Sequence, residues 1–337
     1  LGPGNALENT ISALQTCRAI AILSGLTGSA GVPGGLVLKN PAPFYRPGKF
    51  YFPKGFPRQK ENSIAKDFIL AVGAAYAPTQ TLVKTLLTDE PYSIKAGLFF
   101  VNNPLCTYPD SVMTYEALMK LNFMVVADIF HTPTTDIADI ILPAALPGEH
   151  NTVAYWPASM GMLKCDPKLT DPPGEAWPDM KMMNELAKRM GMREYFWEEA
   201  EDVLDFWLEP SGLTYEEFKE KRVLQPSKTY FKGNESTFFR TSSGKMEIYS
   251  KQMEQLGLSP MPCYEDVSKA NIISTGSDKY PLLMTNRKET GYILSGYRSI
   301  KAMRKRYHEA VVELNPETAK KAGVKEGEMV YIETPKG

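Results

Sequence analysis

Two asparagines, one aspartate and a group of threonines carry the clearest chemical signal in the chain. Asn102 and Asn103 follow the apolar run "GLFFV" (97–101), and Asp128 closes a second run, "FMVVA" (123–127). The stretch "IFHTPTTDIADIILPAA" (129–145) then supplies His131, Thr132, Thr134, Asp136 and Asp139 before a third apolar run. An Asn side chain both donates and accepts hydrogen bonds, whereas an ionised carboxylate only accepts, with two oxygens. Together they suit a ribose or a phosphate-linked group beside a purine edge. A carboxylate can accept two adjacent guanine donors at once, which adenine does not offer. Loop polarity that merely caps elements is the alternative, and the residues alone leave both readings open. No GxGxxG follows the first run, which argues against an ordinary NAD site.

These residues meet only if the surrounding elements bring them together. "DSVMTYEALMKLN" (110–122) reads as a helix with Asp110 as N-cap and Met113, Ala117, Leu118 and Leu121 on one face. Strand, helix and strand in about thirty residues predict a βαβ unit, with "IILPAA" as a third strand. The fold class is therefore α/β. The sheet is parallel and expected to be buried on both faces, with ligands outside the carboxyl ends of its strands. Helices over 1–24 and 179–190 are expected to cover the second face. In the first, Ile11, Leu14, Cys17 and Ala21 recur at helical spacing, and Gly25 and Gly28 can end it. In the second, Met180, Met183, Ala187 and Met190 form a stripe read as core. "SAGVPGG" (29–35) is a glycine-rich loop, and 39–60 reads as an irregular excursion.

Beyond about residue 200 the pattern changes. "EDVLDFWL" and "TYEEFKEK" read as short helices, the second opened by a Thr214–Glu217 capping box. "FFRTSSGKMEIYS" (238–250) reads as a turn between strand-like residues. From Tyr280 the chain becomes β-rich through "YPLLMTNR", "EAVVEL" and "EMVYIET", with a helix capped by Asn315, Pro316 and Gly323. The expected organisation is an α/β dinucleotide-binding domain over 1–200, a connecting segment over 201–278, and the start of a β-barrel domain over 279–337.

The formal net charge of -1 gives no global electrostatic reason to bind nucleic acid or an anionic membrane. The basic cluster "SIKAMRKRYH" (299–308) reads as a solvated helix face. No apolar run approaches the length of a membrane span. The four cysteines are scattered and no CxxC occurs, so a zinc or iron–sulfur site built from these residues alone is not expected. The chain starts at Leu1 and stops just after a strand-like run, which reads as a fragment.

Four ordered stretches resemble the molybdopterin oxidoreductase family, the dimethyl sulfoxide reductase group: "CRAIAILSGLTGSAGVPGG", "VNNPLCTYPD...MVVADIFHTPTTDIADIILPAALPGEHNTV", "FRTSSGKMEIYS" and "LLMTNRKETGYILSGYRSIKAMRKRYHEAVVELNPETAKKAGVKEGEMVYIETPKG". The resemblance covers nearly the whole chain. It implies a bis(molybdopterin guanine dinucleotide) cofactor with molybdenum or tungsten and a double-psi-like C-terminal barrel. By that resemblance Asn103 and Asp128 lie on one dinucleotide, with Asp128 on its guanine. Thr132 and Thr134 bond nearby phosphate or ribose, and Thr285, Asn286 and Arg287 touch a pyranopterin. His150 lines the cofactor funnel or is structural. Tyr297 and Arg298 resemble one subgroup of the family. The catalytic residues are not readable: the metal ligand and a 4Fe–4S cluster belong to the family's N-terminal half, the expected partner polypeptide. The implied partners also include an iron–sulfur electron-transfer subunit and a small-molecule substrate, in a prokaryotic cytoplasm or periplasm. Two features depart from the pattern: Ser242 stands where proline is usual, and "YWPASMGML" replaces a Glu-Gly-Arg stretch. Two alternatives stay open. One is a cofactor-free electron-transfer scaffold related to the large iron–sulfur subunit of NADH dehydrogenase. The other is a non-redox nucleotide-binding module.

Overall fold

The computed structural model describes residues 7, 10, 12–36, 38–45, 63–66, 77–154, 161–230, 239, 241–264, 279–287, 289–293, 296–307 and 310–334. Residues 46–60 of the excursion expected over 39–60 and most of "YWPASMGML" lie outside them. The chain divides into two units, Leu1–Cys263 and Tyr264–Gly337.

In chain order the first unit contains α1 (Ala13–Leu26), β1 (Leu38–Asn40), α2 (Thr79–Thr88), β2 (Ala96–Phe100), α3 (Pro104–Thr107), α4 (Ser111–Leu118), β3 (Phe123–Asp128), β4 (Ile140–Pro143), β5 (Thr152–Ala154), β6 (Leu163–Asp166), α5 (Asp179–Arg189), α6 (Asp202–Leu208), α7 (Tyr215–Lys221), β7 (Val223–Leu224), β8 (Ser227–Thr229) and α8 (Lys251–Gln255). The expected βαβ unit is present. β2, β3 and β4 form a parallel sheet in that order, with Phe99 opposite Val126 and Val126 opposite Ile141. Alternation along the strands puts Phe99, Met124 and Val126 on one face. That face is sealed by Val83 and Leu86 of α2 and by Ala117 and Leu118 of α4. Asp110 caps α4 by accepting from Met113 N at 3.1 Å.

The helices on this sheet are not the pair expected from sequence. α1 buries no residue and packs elsewhere. Its Arg18 guanidinium donates to the carbonyls of Ser259 (3.0 Å) and Pro260 (2.6 Å). A Cβ on its Gly25 would stand 1.6 Å from Met246 Sδ, so glycine there permits close approach to the 241–260 segment. α2 joins α4 on the first face, although its threonines and Val83 lower the helical propensity of "TQTLVKTLLT". Burial of Val83, Thr85 and Leu86 overrides that propensity.

α5 also presents a different face from the one expected. Of the stripe expected as core, Ala187 is buried as expected but Met180, Met183 and Met190 are exposed, while Met182 and Asn184 are buried in their place. The Asn184 amide sets this rotation by donating to Trp197 O (2.9 Å) and accepting from Trp197 N (3.2 Å). Among the described residues the second sheet face is only partly covered: Ala127 is buried and Val125 half-buried. Leu98, Phe123 and Ile140, which share that face by register, are all exposed.

The segment expected as a connector builds a second core. Val203, Leu204, Trp207 and Leu208 of α6 and Tyr215 and Phe218 of α7 pack with Val153, Leu163 and Cys165 of the antiparallel sheet β5-β6-β7. The Thr214–Glu217 capping box opens α7 as expected. The Tyr215 hydroxyl faces Thr152 O and Asp166 O, each at 3.2 Å, and Cys165 Sγ at 3.4 Å. Burial, followed by the Cys165 contact, pushes this phenol far above its ordinary value.

In the second unit the helices are α9 (Lys301–Arg306) and α10 (Pro316–Ala322). Asn315 caps α10 by accepting from Glu317 N at 2.9 Å, and Gly323 leaves it at φ +71. The β-type runs at 281–287, 310–314 and 329–334 are in no ladder among the described residues, and an isolated bridge pairs Ile293 with Gly296. Ladders need a neighbouring strand to take their N–H and C=O groups.

Tyr215→Phe is expected to destabilise the first unit by about 1–2 kcal/mol, because the buried carbonyl pair loses its shared donor while packing is kept. Equilibrium urea denaturation of wild type and variant measures the difference.

Candidate functional site

The carboxyl ends of β2 and β3 are joined by one buried side chain. Thr134 is 0% exposed. Its Oγ1 donates to Asn103 Oδ1 at 2.6 Å and accepts from Leu105 N at 3.2 Å. Asn103 is the N-cap of α3, and its carbonyl accepts from Cys106 N and Thr107 N, each at 3.0 Å. Thr134 thus fastens the β3–β4 loop to the end of β2 and commits its hydroxyl to that task. Thr132 and Thr135 fold the same loop. Thr132 N donates to Thr135 Oγ1 (2.7 Å), and Thr135 N donates to Thr132 Oγ1 (3.2 Å). Asp139 closes it: Oδ2 accepts from Met124 N (2.7 Å), while Asp139 N donates to Met124 O (2.9 Å). Much of the polarity between 128 and 139 therefore holds β4 beside β3.

Asp128 is different. It is half-buried at the end of β3, and its Oδ1 accepts from Phe130 N at 3.1 Å. That bond turns the chain in the manner of an Asx turn and leaves the carboxylate further lone pairs. Beside it on the neighbouring strand, Val101 follows the Phe100–Ala127 pair. Val101 sits at φ +49 and is 89% exposed. A β-branched residue rarely adopts this conformation, at a cost of order 1–3 kcal/mol. Sequence reasoning missed Val101, since composition carries no signal of a positive φ. Asn102, which sequence paired with Asn103, instead donates from Nδ2 to the Tyr108 hydroxyl at 3.0 Å.

Past β4, the buried Nδ1 of half-exposed His150 has no hydrogen-bond partner among the described residues. Burial raises the Asp179 carboxyl above the ordinary range, and the nearby His150 opposes that rise. In the 241–247 turn, Ser242 Oγ (3.1 Å), Ser243 Oγ (2.8 Å) and Ser243 N (3.2 Å) all donate to Glu247 Oε1. These bonds, those of Ser243 foremost, hold that carboxyl below its ordinary range. Ser242 contributes its hydroxyl to this turn.

In the second unit Thr285, Asn286 and Arg287 are exposed on an irregular segment. Arg287 Nη2 lies 3.0 Å from Glu289 Oε1 and 2.8 Å from Glu313 Oε1. Tyr297 sits at φ +70, and the Arg298 guanidinium lies 4.9 Å from the Tyr292 ring centroid.

Residues 2–189 match the sequence profile described as Molybdopterin oxidoreductase, which covers more than half of the chain. The chain belongs to the molybdopterin oxidoreductase family. Residues 282–337 of this family member match the molydopterin dinucleotide binding domain. It is 29% identical over 269 residues to the acetylene hydratase of Syntrophotalea acetylenica, across 79% of this chain and 37% of that protein. It is 27% identical over 254 residues to the assimilatory nitrate reductase catalytic subunit of Bacillus subtilis, across 72% of this chain and 34% of that one. The solved acetylene hydratase from Pelobacter acetylenicus superposes with a TM-score of 0.80 at 25% identity, over 94% of this chain and 48% of its own. The chain thus spans less than half the length of these molybdopterin oxidoreductases.

Thr134→Val is expected to leave Asn103 Oδ1 and the Leu105 amide without their shared partner, at a cost of about 1–3 kcal/mol. Thr134→Ser should keep most of that stability. Thermal denaturation, with hydrogen exchange at the Leu105 amide, reads the difference directly.

Proposed function

We propose that this chain is the cofactor-orienting part of a molybdenum or tungsten bis(molybdopterin guanine dinucleotide) redox enzyme. The observation that carries the reading is Asp128: a half-buried carboxylate at the carboxyl end of a central parallel strand, with acceptor capacity beyond its Phe130 bond. Family membership and the matched dinucleotide-binding domain support it. In this reading Asp128 accepts the two adjacent donors of a guanine edge. Thr134 positions Asn103, whose amide nitrogen offers donors to the same nucleotide. Thr132 offers its hydroxyl proton to a ribose or phosphate oxygen.

The second unit contributes donors of its own. Exposed ion pairs are worth about 0–1 kcal/mol, so the exposed Arg287 can exchange Glu289 and Glu313 for an acceptor-rich pyranopterin at little cost. Thr285 and Asn286, adjacent on the same segment, add neutral hydrogen-bonding groups. When bound, the group supplies the redox-active metal–dithiolene centre, and protein residues orient and tune it. The metal-ligating residue, a 4Fe–4S cluster and the site for a small-molecule substrate are assigned to polypeptide beyond these 337 residues. An iron–sulfur subunit would exchange the electrons. The greater length of the relatives supports that division.

Asp128→Asn in the full-length protein places a donor where an acceptor is required. Losing a charge-assisted bond costs about 1.5–3 kcal/mol, so cofactor occupancy under limiting supply should fall roughly tenfold or more. Asp136→Asn, an exposed position in the same loop, should leave occupancy unchanged. Metal analysis and pterin fluorescence of the purified proteins test this, and equal content in all three would remove the nucleotide role of Asp128.

A further inference from the structure

The carboxyl ends of β2 and β3 expose apolar surface beside the carboxylate. Val101 is 89% exposed, Ile129 44% and Phe130 54%. These residues flank Asp128: Val101 follows the Phe100–Ala127 pair on the adjoining strand, and Ile129 and Phe130 continue the chain from Asp128 itself. Phe130 is tied there by its backbone bond to Asp128 Oδ1. Exposed apolar side chains at a ligand-binding sheet end gain nothing from water. Val101 is also held at φ +49, where glycine or asparagine would sit with less strain. A conformation this unfavourable for a β-branched side chain, kept where the side chain touches little of its own fold, points to a use outside the fold.

We propose that Val101 and Phe130 form an apolar clamp for the faces of the nucleobase whose edge Asp128 reads. The ligand class is a planar purine: its donor edge suits the carboxylate, and its flat faces suit an aliphatic and an aromatic side chain. The clamp rests on the reading of Asp128 given above and extends it from one edge of the base to its faces. Asp128 supplies selectivity for guanine, and the clamp supplies affinity without regard to base identity.

The test uses the full-length protein expressed under limiting molybdenum cofactor. Val101→Gly, Val101→Asn and Phe130→Ala are compared with wild type and Asp128→Asn for melting temperature and for guanine nucleotide released on acid hydrolysis. Both Val101 variants relieve the strained backbone, so the Tm of protein made in a host lacking the cofactor should hold or rise. Nucleotide content should fall about fivefold, the affinity that burying roughly 40 Å² of apolar surface supports. Phe130→Ala should lower content by at least as much. If Asp128→Asn is depleted while the Val101 and Phe130 variants stay loaded, the clamp is wrong and the Asp128 reading stands. If Tm of the cofactor-free protein falls in both Val101 variants by more than about 2 °C, Val101 serves the fold and the clamp is overturned. Wild type free of guanine nucleotide would overturn both.

Discussion

One buried hydrogen bond, from Thr134 to Asn103, sets the geometry on which the candidate site depends. Neighbouring parallel strands fix the spacing of β2 and β3, but not the course of the loops that leave them. The 2.6 Å contact joins those loops, and the Leu105 amide completes it on the other side. Thr134 has no exposure to solvent, so breaking the contact leaves polar groups without water to replace it. The outcome is a rigid rim at the carboxyl end of the sheet. Asp128 and Val101 stand on that rim, Asp128 with acceptor capacity beyond its bond to Phe130 and Val101 with its side chain exposed.

The loop between β3 and β4 thus divides its polar residues between two tasks. Asp139 and the pair Thr132 and Thr135 hold β4 in register. Asp128 is left half-buried with acceptor capacity beyond its bond to Phe130. A carboxylate that keeps free acceptor capacity at a strand end is costly to bury without a partner, which is the usual condition of a binding group. The same economy shows in the second unit, where Arg287 rests in exposed ion pairs that a ligand can displace.

The βαβ unit was legible because its apolar runs, the Asp110 cap and the Leu118 face all carry local signals. So was α7, through its capping box. The partner of the sheet was not legible. α2 mixes threonines and a valine with leucine, lysine and glutamine, so its helical signal is weak, and burial against Phe99 and Val126 supports it. α5 misled for the opposite reason: its methionine stripe has perfect helical spacing, yet the Asn184 amide turns that stripe outward. Within the site, Asn103 and Asp128 could be found from residue type at a strand end. The commitment of Thr134 inward and the strained backbone of Val101 could not, since both depend on which loops meet.

The central claim is that Asp128 reads the guanine edge of a bound pterin dinucleotide. A cryo-EM structure of the full-length, cofactor-loaded enzyme tests it most directly through the distances from the Asp128 carboxylate oxygens to the base. The account predicts both guanine donors within about 3.2 Å of those oxygens. A loaded enzyme in which the Asp128 carboxylate faces solvent, with the guanine edge held by other residues, would contradict it.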